Sequence, residues 1–212
     1  MVYRTARRIV SGAVASVLLA SAQGAPQSQD LDAVLGRVAD PEHGKKLYET
    51  CAACHQQNGQ GVANGTVPAI AGQPFAVIAR QLTDFRRGTR IDPLMQHFAD
   101  TTHLSYSQEI ADVASYISKM PPRMGASEPS SPDGGPGAMI YERKCERCHG
   151  AIAEGSDAGF APRLAGQHAE YLIRQLTAET SVRPALKEAH AAIAGGLSRE
   201  DISALAKTLS AL

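Results

Sequence analysis

The sequence predicts an all-α fold built as two tandem halves. Three observations carry this: an internal repeat at a constant offset of 94 residues, helical apolar spacing in the periodic segments of both halves, and no convincing alternating strand pattern. Shifting the chain by that offset carries Cys51, Cys54 and His55 onto Cys145, Cys148 and His149. It also carries Gly61 onto Gly155, Pro68 onto Pro162, Gly72 onto Gly166, Gln73 onto Gln167 and Gln81 onto Gln175. Matching of this kind means duplication, and its domain-sized period implies two domains rather than a solenoid.

The elements follow in order. Asp40-Pro41 opens a helix with proline in its first turn, and Gly44 and Tyr48 share one face ahead of Cys51. A Gly-rich loop runs from Gly59 to Gly65. Residues 74–85 read as an amphipathic helix through Phe75, Ile78, Ala79 and Leu82, closed by Arg86, Arg87 and Gly88. Residues 105–118 read as the last helix of the half, apolar at Ile110, Val113, Ala114 and Ile117. The second half repeats the order at 138–147, 168–177 and 198–212. One position has slipped: two residues separate Tyr48 from Cys51, but three separate Tyr141 from Cys145. The domains are expected over 40–119 and 137–212. Between them, 120–136 is dominated by Pro, Gly and Ser and reads as a linker. Residues 23–39 form a mostly polar leader with a weak helical patch from Leu31 to Val38, to which no function is assigned.

The chemistry lies in Cys51-Ala-Ala-Cys54-His55 and its twin Cys145-Glu-Arg-Cys148-His149, each a pentapeptide that attaches a c-type haem. On one helical turn both sulfurs can add to the two vinyl groups of a porphyrin, and the next residue then presents its imidazole to the iron. Two matches use all four cysteines of the chain. A four-thiolate zinc site would leave both adjacent histidines unexplained, and a thioredoxin-like redox pair would need only one motif in a βαβ setting. Two covalently bound haem c groups are therefore expected, at Cys51, Cys54, Cys145 and Cys148, with His55 and His149 on the irons.

The start of the chain agrees with that chemistry. Arg4, Arg7 and Arg8 precede an apolar run from Ile9 to Ala20, and Ala20-Ser21-Ala22 offers a cleavage point, so residues 1–22 read as a secretory signal. The run of 12 residues is too short to span a bilayer as a mature helix; an uncleaved anchor is the alternative. A bacterial periplasm is the expected destination. Cleavage removes three arginines and no acids, moving the formal balance from zero to −3. No basic tract then remains for nucleic acid or an anionic membrane surface; peripheral membrane contact stays open. Function must come from the cofactors, and with no Trp the porphyrins are expected to supply much of each small core.

At this point the chain resembles a known family. CxxCH, the downstream segments Pro68-Ala-Ile-Ala-Gly-Gln73 and Pro162-Arg-Leu-Ala-Gly-Gln167, the Arg-Gln-Leu helix and a final helix, each present twice, are similar to the dihaem cytochromes c of the cytochrome c4 type. Similar modules serve as the cytochrome subunit of flavocytochrome c sulfide dehydrogenases. The resemblance covers nearly all of the mature chain. It implies two tandem class I cytochrome c domains with haem edges near each other, working as a periplasmic electron shuttle, and it places Pro68 and Pro162 beside the proximal histidines.

The resemblance also frames the second axial ligands. The family carries a methionine shortly before the last helix, in a pattern of Met, two variable residues, an apolar residue and Ala. Met95-Gln-His-Phe-Ala99 fits, so Met95 is the expected ligand of the first iron, with His97 a rival. The second half departs: its only methionine, Met139, precedes the haem motif, and the matching segment is His190-Ala-Ala-Ile-Ala194. His190 is thus expected opposite His149. Lys187, a five-coordinate iron and an ordinary surface role for His190 are the alternatives. His168 falls where the family often has a non-ligating histidine, and His43 and His103 read as solvated.

Methionine opposite histidine raises an iron's potential and two imidazoles leave it lower. Electrons are then expected to enter at the second haem and leave from the first. Two function classes compete. One is a carrier between a dehydrogenase or quinol-oxidising complex as donor and an oxidase or reductase as acceptor. The other is the electron-accepting subunit of a sulfide- or alcohol-oxidising dehydrogenase. Dihaem thiosulfate dehydrogenases, which use an axial cysteine, fit less well because no cysteine is spare. A ligand sensor with an open iron position is a third reading.

Overall fold

The structure is a computed structural model that describes Met1 and residues 26–125, 134–177, 190, 193 and 196–212. The expected signal segment beyond Met1 and the rival ligand Lys187 lie outside the described residues. The helices are α1 (Pro26–Leu35), α2 (Pro41–His55), α3 (Phe75–Arg87), α4 (Pro93–Ala99), α5 (Ser107–Lys119), α6 (Pro136–Lys144), α7 (Glu146–His149), α8 (Ala169–Thr177) and α9 (Arg199–Ala211). Among the described residues there is no strand, only an isolated bridge between Ser156 and Ala161.

Each half has its own core. In the first, Tyr48 of α2, Ile78 of α3 and Ile110, Val113 and Ile117 of α5 are buried together. In the second, Ile140 and Tyr141 of α6 meet Leu172 of α8 and Leu205 and Leu209 of α9. The segment read as a polar leader contributes α1, whose Val34 is buried in the first core with Leu31 and Leu35 packed beside it.

Glycine sets how closely the helices cross. A Cβ on Gly44 would lie 2.0 Å from the Asp112 carbonyl oxygen on α5, and one on Gly137 would lie 2.4 Å from the Ala204 carbonyl oxygen on α9. Gly137 and Tyr141 follow Gly44 and Tyr48 by 93 residues, whereas everything from Cys145 onward follows by 94. The extra residue is absorbed at Cys145, which joins α6 to α7 at φ −119° and ψ −38°. For that reason the single helix expected over 138–147 is two pieces. The tyrosine still does its work: Tyr48 donates to the Gln56 carbonyl and Tyr141 to the Gly150 carbonyl, each the peptide after a motif histidine.

Side-chain caps sit at the starts of α2, α4 and α9, the first of them the Asp40 start that the sequence suggests. Asp40 accepts from the N–H groups of Glu42 and His43, and Asp92 from those of Leu94 and Met95. Ser198 and Asp201 form a reciprocal box on α9. Asp112, buried on α5, accepts from the Asp40 N–H at 2.7 Å and the Gln108 amide at 2.7 Å, and pairs with His43 Nδ1 at 2.8 Å. His43 is therefore a partner of a buried carboxylate, although its own side chain is 44% exposed. Burial alone would raise the Asp112 carboxyl, but these donors outweigh it and hold the group below its usual value.

The halves meet along the repeated Ala-Gly-Gln segments. Gln73 bonds both backbone groups of Arg163, and Gln167 bonds both backbone groups of Ala69. Residues 69 and 163 are related by the offset, as are 73 and 167, so the interface is isologous, like that of a two-fold dimer. Around it the Arg80 guanidinium lies 3.5 Å from the Phe160 ring centroid, and Arg174 donates to the Gly65 carbonyl. Asp157 accepts from the Ala76 N–H at 2.7 Å, capping α3 from the other half where Pro74 supplies no side-chain cap. The first residues of the expected linker pack here as well, Pro122 against Gly72 and the Arg123 carbonyl against Gly166.

Candidate cofactor sites

Both motif histidines sit at a helix end, buried, with the same restraint on the ring. His55 Nδ1 lies 3.0 Å from the Pro68 carbonyl oxygen and His149 Nδ1 lies 2.9 Å from that of Pro162. Donation from Nδ1 fixes the tautomer and leaves Nε2 as the free lone pair. Burial lowers the pKa of both imidazoles, against the opposing pull of the proline carbonyls. Neutral rings are what a metal requires.

The loop that delivers each proline is built identically. Gly61 N–H bonds the His55 carbonyl and Gly155 N–H the His149 carbonyl, at 3.0 and 2.8 Å. A Cβ on Gly61 would lie 2.5 Å from the Pro68 carbonyl oxygen, and one on Gly155 would lie 2.7 Å from the Pro162 carbonyl carbon. Only glycine lets the chain pass beneath the histidine's acceptor.

The cysteines are unpaired thiols, each motif within its own half. Cys51 packs on the first core and Cys145 on the second. Among the described residues no cysteine belongs to a group of His, Cys, Asp and Glu ligand atoms close enough to share a metal, so the four sulfurs do not form a zinc site. Burial pushes the Cys51 and Cys145 thiols up to about 11. A porphyrin, by contrast, fits: two thiols and an oriented Nε2 in each half, with Arg163 beside Pro162. The Arg163 Nε is buried with no hydrogen-bond partner among the described residues, as suits a donor meant for a propionate oxygen.

The structure brings His190 to His149. Their rings are 13° from parallel with centroids 6.3 Å apart. Two imidazoles on opposite sides of one metal, at about 2 Å per bond, would hold their centroids about 6 Å apart. His190 is helical and half-buried, and burial lowers its pKa. Met95 sits half-buried in the first turn of α4, held by its N–H on Asp92. Its rival His97 is largely exposed and faces His103 instead, ring centroids 4.5 Å apart, beside Asp100. His103 is thus less solvated than its sequence suggests. Met139 is exposed on α6. His168 is buried and meets the Gln60 carbonyl of the other half at 2.8 Å. Missed by sequence reasoning were the roles of Gln73, Gln167 and Arg163. Identity at the constant offset marked both glutamines, but only the interface shows what they touch.

A sequence model of the cytochrome c family matches residues 41–121 and 135–210. The chain is 31% identical over 183 residues to cytochrome c4 from Pseudomonas aeruginosa, covering 82% of this chain and 89% of that one. It is 34% identical over 163 residues to a thiosulfate dehydrogenase electron acceptor from Stutzerimonas stutzeri, covering 68% of this chain and 74% of that one. Among solved structures, reduced recombinant cytochrome c4 from Pseudomonas stutzeri superposes with a TM-score of 0.71 at 26% identity, over 82% of this chain and 100% of that one. The thiosulfate dehydrogenase TsdBA from Marichromatium purpuratum superposes with a TM-score of 0.63 at 31% identity, over 80% of this chain and 39% of that one.

Proposed function

This chain belongs to the cytochrome c family and is a dihaem electron-transfer protein, and from that premise we propose that it is a periplasmic carrier whose two irons have different ligand sets. The observation that carries the carrier reading is the duplicated Cys-x-x-Cys-His constellation, with each imidazole locked to a proline carbonyl. Haem iron so held exchanges one electron between its ferric and ferrous states. The protein's part is attachment through Cys51, Cys54, Cys145 and Cys148, and orientation of His55 and His149. Met95 completes the first centre and His190 the second. The near-parallel rings of His149 and His190 support the second assignment. A haem held between His149 and His190 would suit an electron donor such as a dehydrogenase or quinol-oxidising complex, and one held by His55 and Met95 would suit an acceptor such as an oxidase or reductase.

Absorption and paramagnetic-resonance spectra of the oxidised protein, with a redox titration, test this reading. Two low-spin species with separate potentials are expected. Two haems titrating together at high potential with methionine-type spectra would sink the His190 assignment, and an exported protein without added porphyrin mass would sink the whole. A second reading is favoured by the relative named as a thiosulfate dehydrogenase electron acceptor: the chain serves as the dedicated acceptor of one dehydrogenase. Tight co-purification with such an enzyme, and reduction by it when thiosulfate is added, would select it.

A further inference from the structure

Between the two motif loops runs a crossed pair of contacts. The Gln167 amide donates through Nε2 to the Ala69 carbonyl at 2.8 Å and accepts through Oε1 from the Ala69 N–H at 3.0 Å. Ala69 directly follows Pro68, whose carbonyl holds His55. In the opposite sense, Gln73 donates to the Arg163 carbonyl at 2.8 Å and accepts from the Arg163 N–H at 3.0 Å. Arg163 directly follows Pro162, whose carbonyl holds His149. Both glutamines are more than nine-tenths buried. We propose that Gln73 and Gln167 are positioning residues, through which each half sets the proximal histidine of the other half's iron.

The physical basis is local. A side-chain amide that bonds both backbone groups of one residue fixes the plane of its two flanking peptides, and in each loop one of those peptides carries the carbonyl that accepts from the histidine. The strength of that hydrogen bond sets how electron-rich the imidazole is, and so the potential of the iron it binds. Removing the amide leaves a buried N–H and C=O without partners, and the loop shifts to recover them. A longer bond to Nδ1 makes the ring a poorer donor and raises the potential. The link is reciprocal in structure, so each substitution acts across the interface.

The test uses the full-length holoprotein, with each haem assigned to its half by proton NMR contacts to Tyr48 or Tyr141. That assignment is independent of the second axial ligands, so failure of the Met95 or His190 reading leaves the test intact. Gln167→Leu is expected to shift the redox equilibrium of the first haem several-fold toward the reduced state, where tenfold is about 59 mV for one electron. It should also move the His55 Nδ1 proton resonance, with the second haem changed far less. Gln73→Leu is expected to do the reverse. Arg80→Ala is the control, since it removes the interface contact to Phe160 while leaving both glutamine clamps in place. The proposal is overturned if each leucine variant moves only its own half's haem or leaves both unmoved. It is overturned equally if Arg80→Ala reproduces the crossed pattern, which would make loosening of the interface the cause. Should a leucine variant not fold, Gln→Glu at the same position keeps an acceptor for the N–H and removes the donor, and the same crossed shift is read.

Discussion

At the scale of single residues, the chemistry depends on which lone pair each side chain leaves free. The Pro68 and Pro162 carbonyls take Nδ1 of the two motif histidines and leave Nε2. Replacing Met95 with alanine should lower the potential of the first haem by more than about 59 mV, a tenfold change for a one-electron couple. A redox titration checks this, and an unchanged potential would remove Met95 from the iron. His190→Ala should convert the second haem to a form that binds carbon monoxide when reduced. The first haem should stay closed, as difference spectra would show.

At the scale of elements, the helix crossings and their ties set stability. Gly44→Ala places a methyl within 2.0 Å of the Asp112 carbonyl oxygen, so α2 must move off α5. A loss of about 1–3 kcal/mol, the usual cost of overpacking, is expected in denaturant unfolding of the holoprotein. Asp112 ties the same crossing electrostatically. Its carboxyl titrates below the ordinary value in the folded protein. The stability it contributes is therefore present above the unfolded carboxyl value of about 3.9 and is lost as pH falls through the lower folded value. Asp112→Asn should remove that part of the acid sensitivity while destabilising the protein at neutral pH. Melting curves of both proteins from neutral to strongly acidic pH would show it. The break at Cys145 belongs to this scale too. One inserted residue is legible as a slipped tyrosine, but whether it bulges, kinks or splits the helix depends on keeping Tyr141 against the Gly150 carbonyl.

At the scale of the whole molecule, the interface makes two small domains into one body. Paired glutamine clamps, the Arg80 stack on Phe160 and the Asp157 cap on α3 join the halves through loops that also hold the motif histidines. Calorimetry of the holoprotein should therefore show one cooperative transition. Two resolved transitions, one per half, would mean that the contacts are too weak to couple them.

Sequence alone determined the class, the duplication, the kind of cofactor and most helix starts, because each is written in local spacing. Cys-x-x-Cys-His is a covalent pattern, Asp40 precedes the helix it caps, and apolar residues recur at the helical period; the short helix α4 and its Asp92 cap were not foreseen. Tertiary structure decided what spacing cannot encode. Val34 lies in the core only because α3 and α5 are there to cover it, and His43 has a partner only because α5 brings Asp112 to it. Gln73 and Gln167 act on loops about ninety residues away, and nothing in the neighbourhood of either glutamine names its target. Contacts between distant parts of a chain depend on how two surfaces meet, and that is settled by the packing of the halves rather than by any one stretch of either.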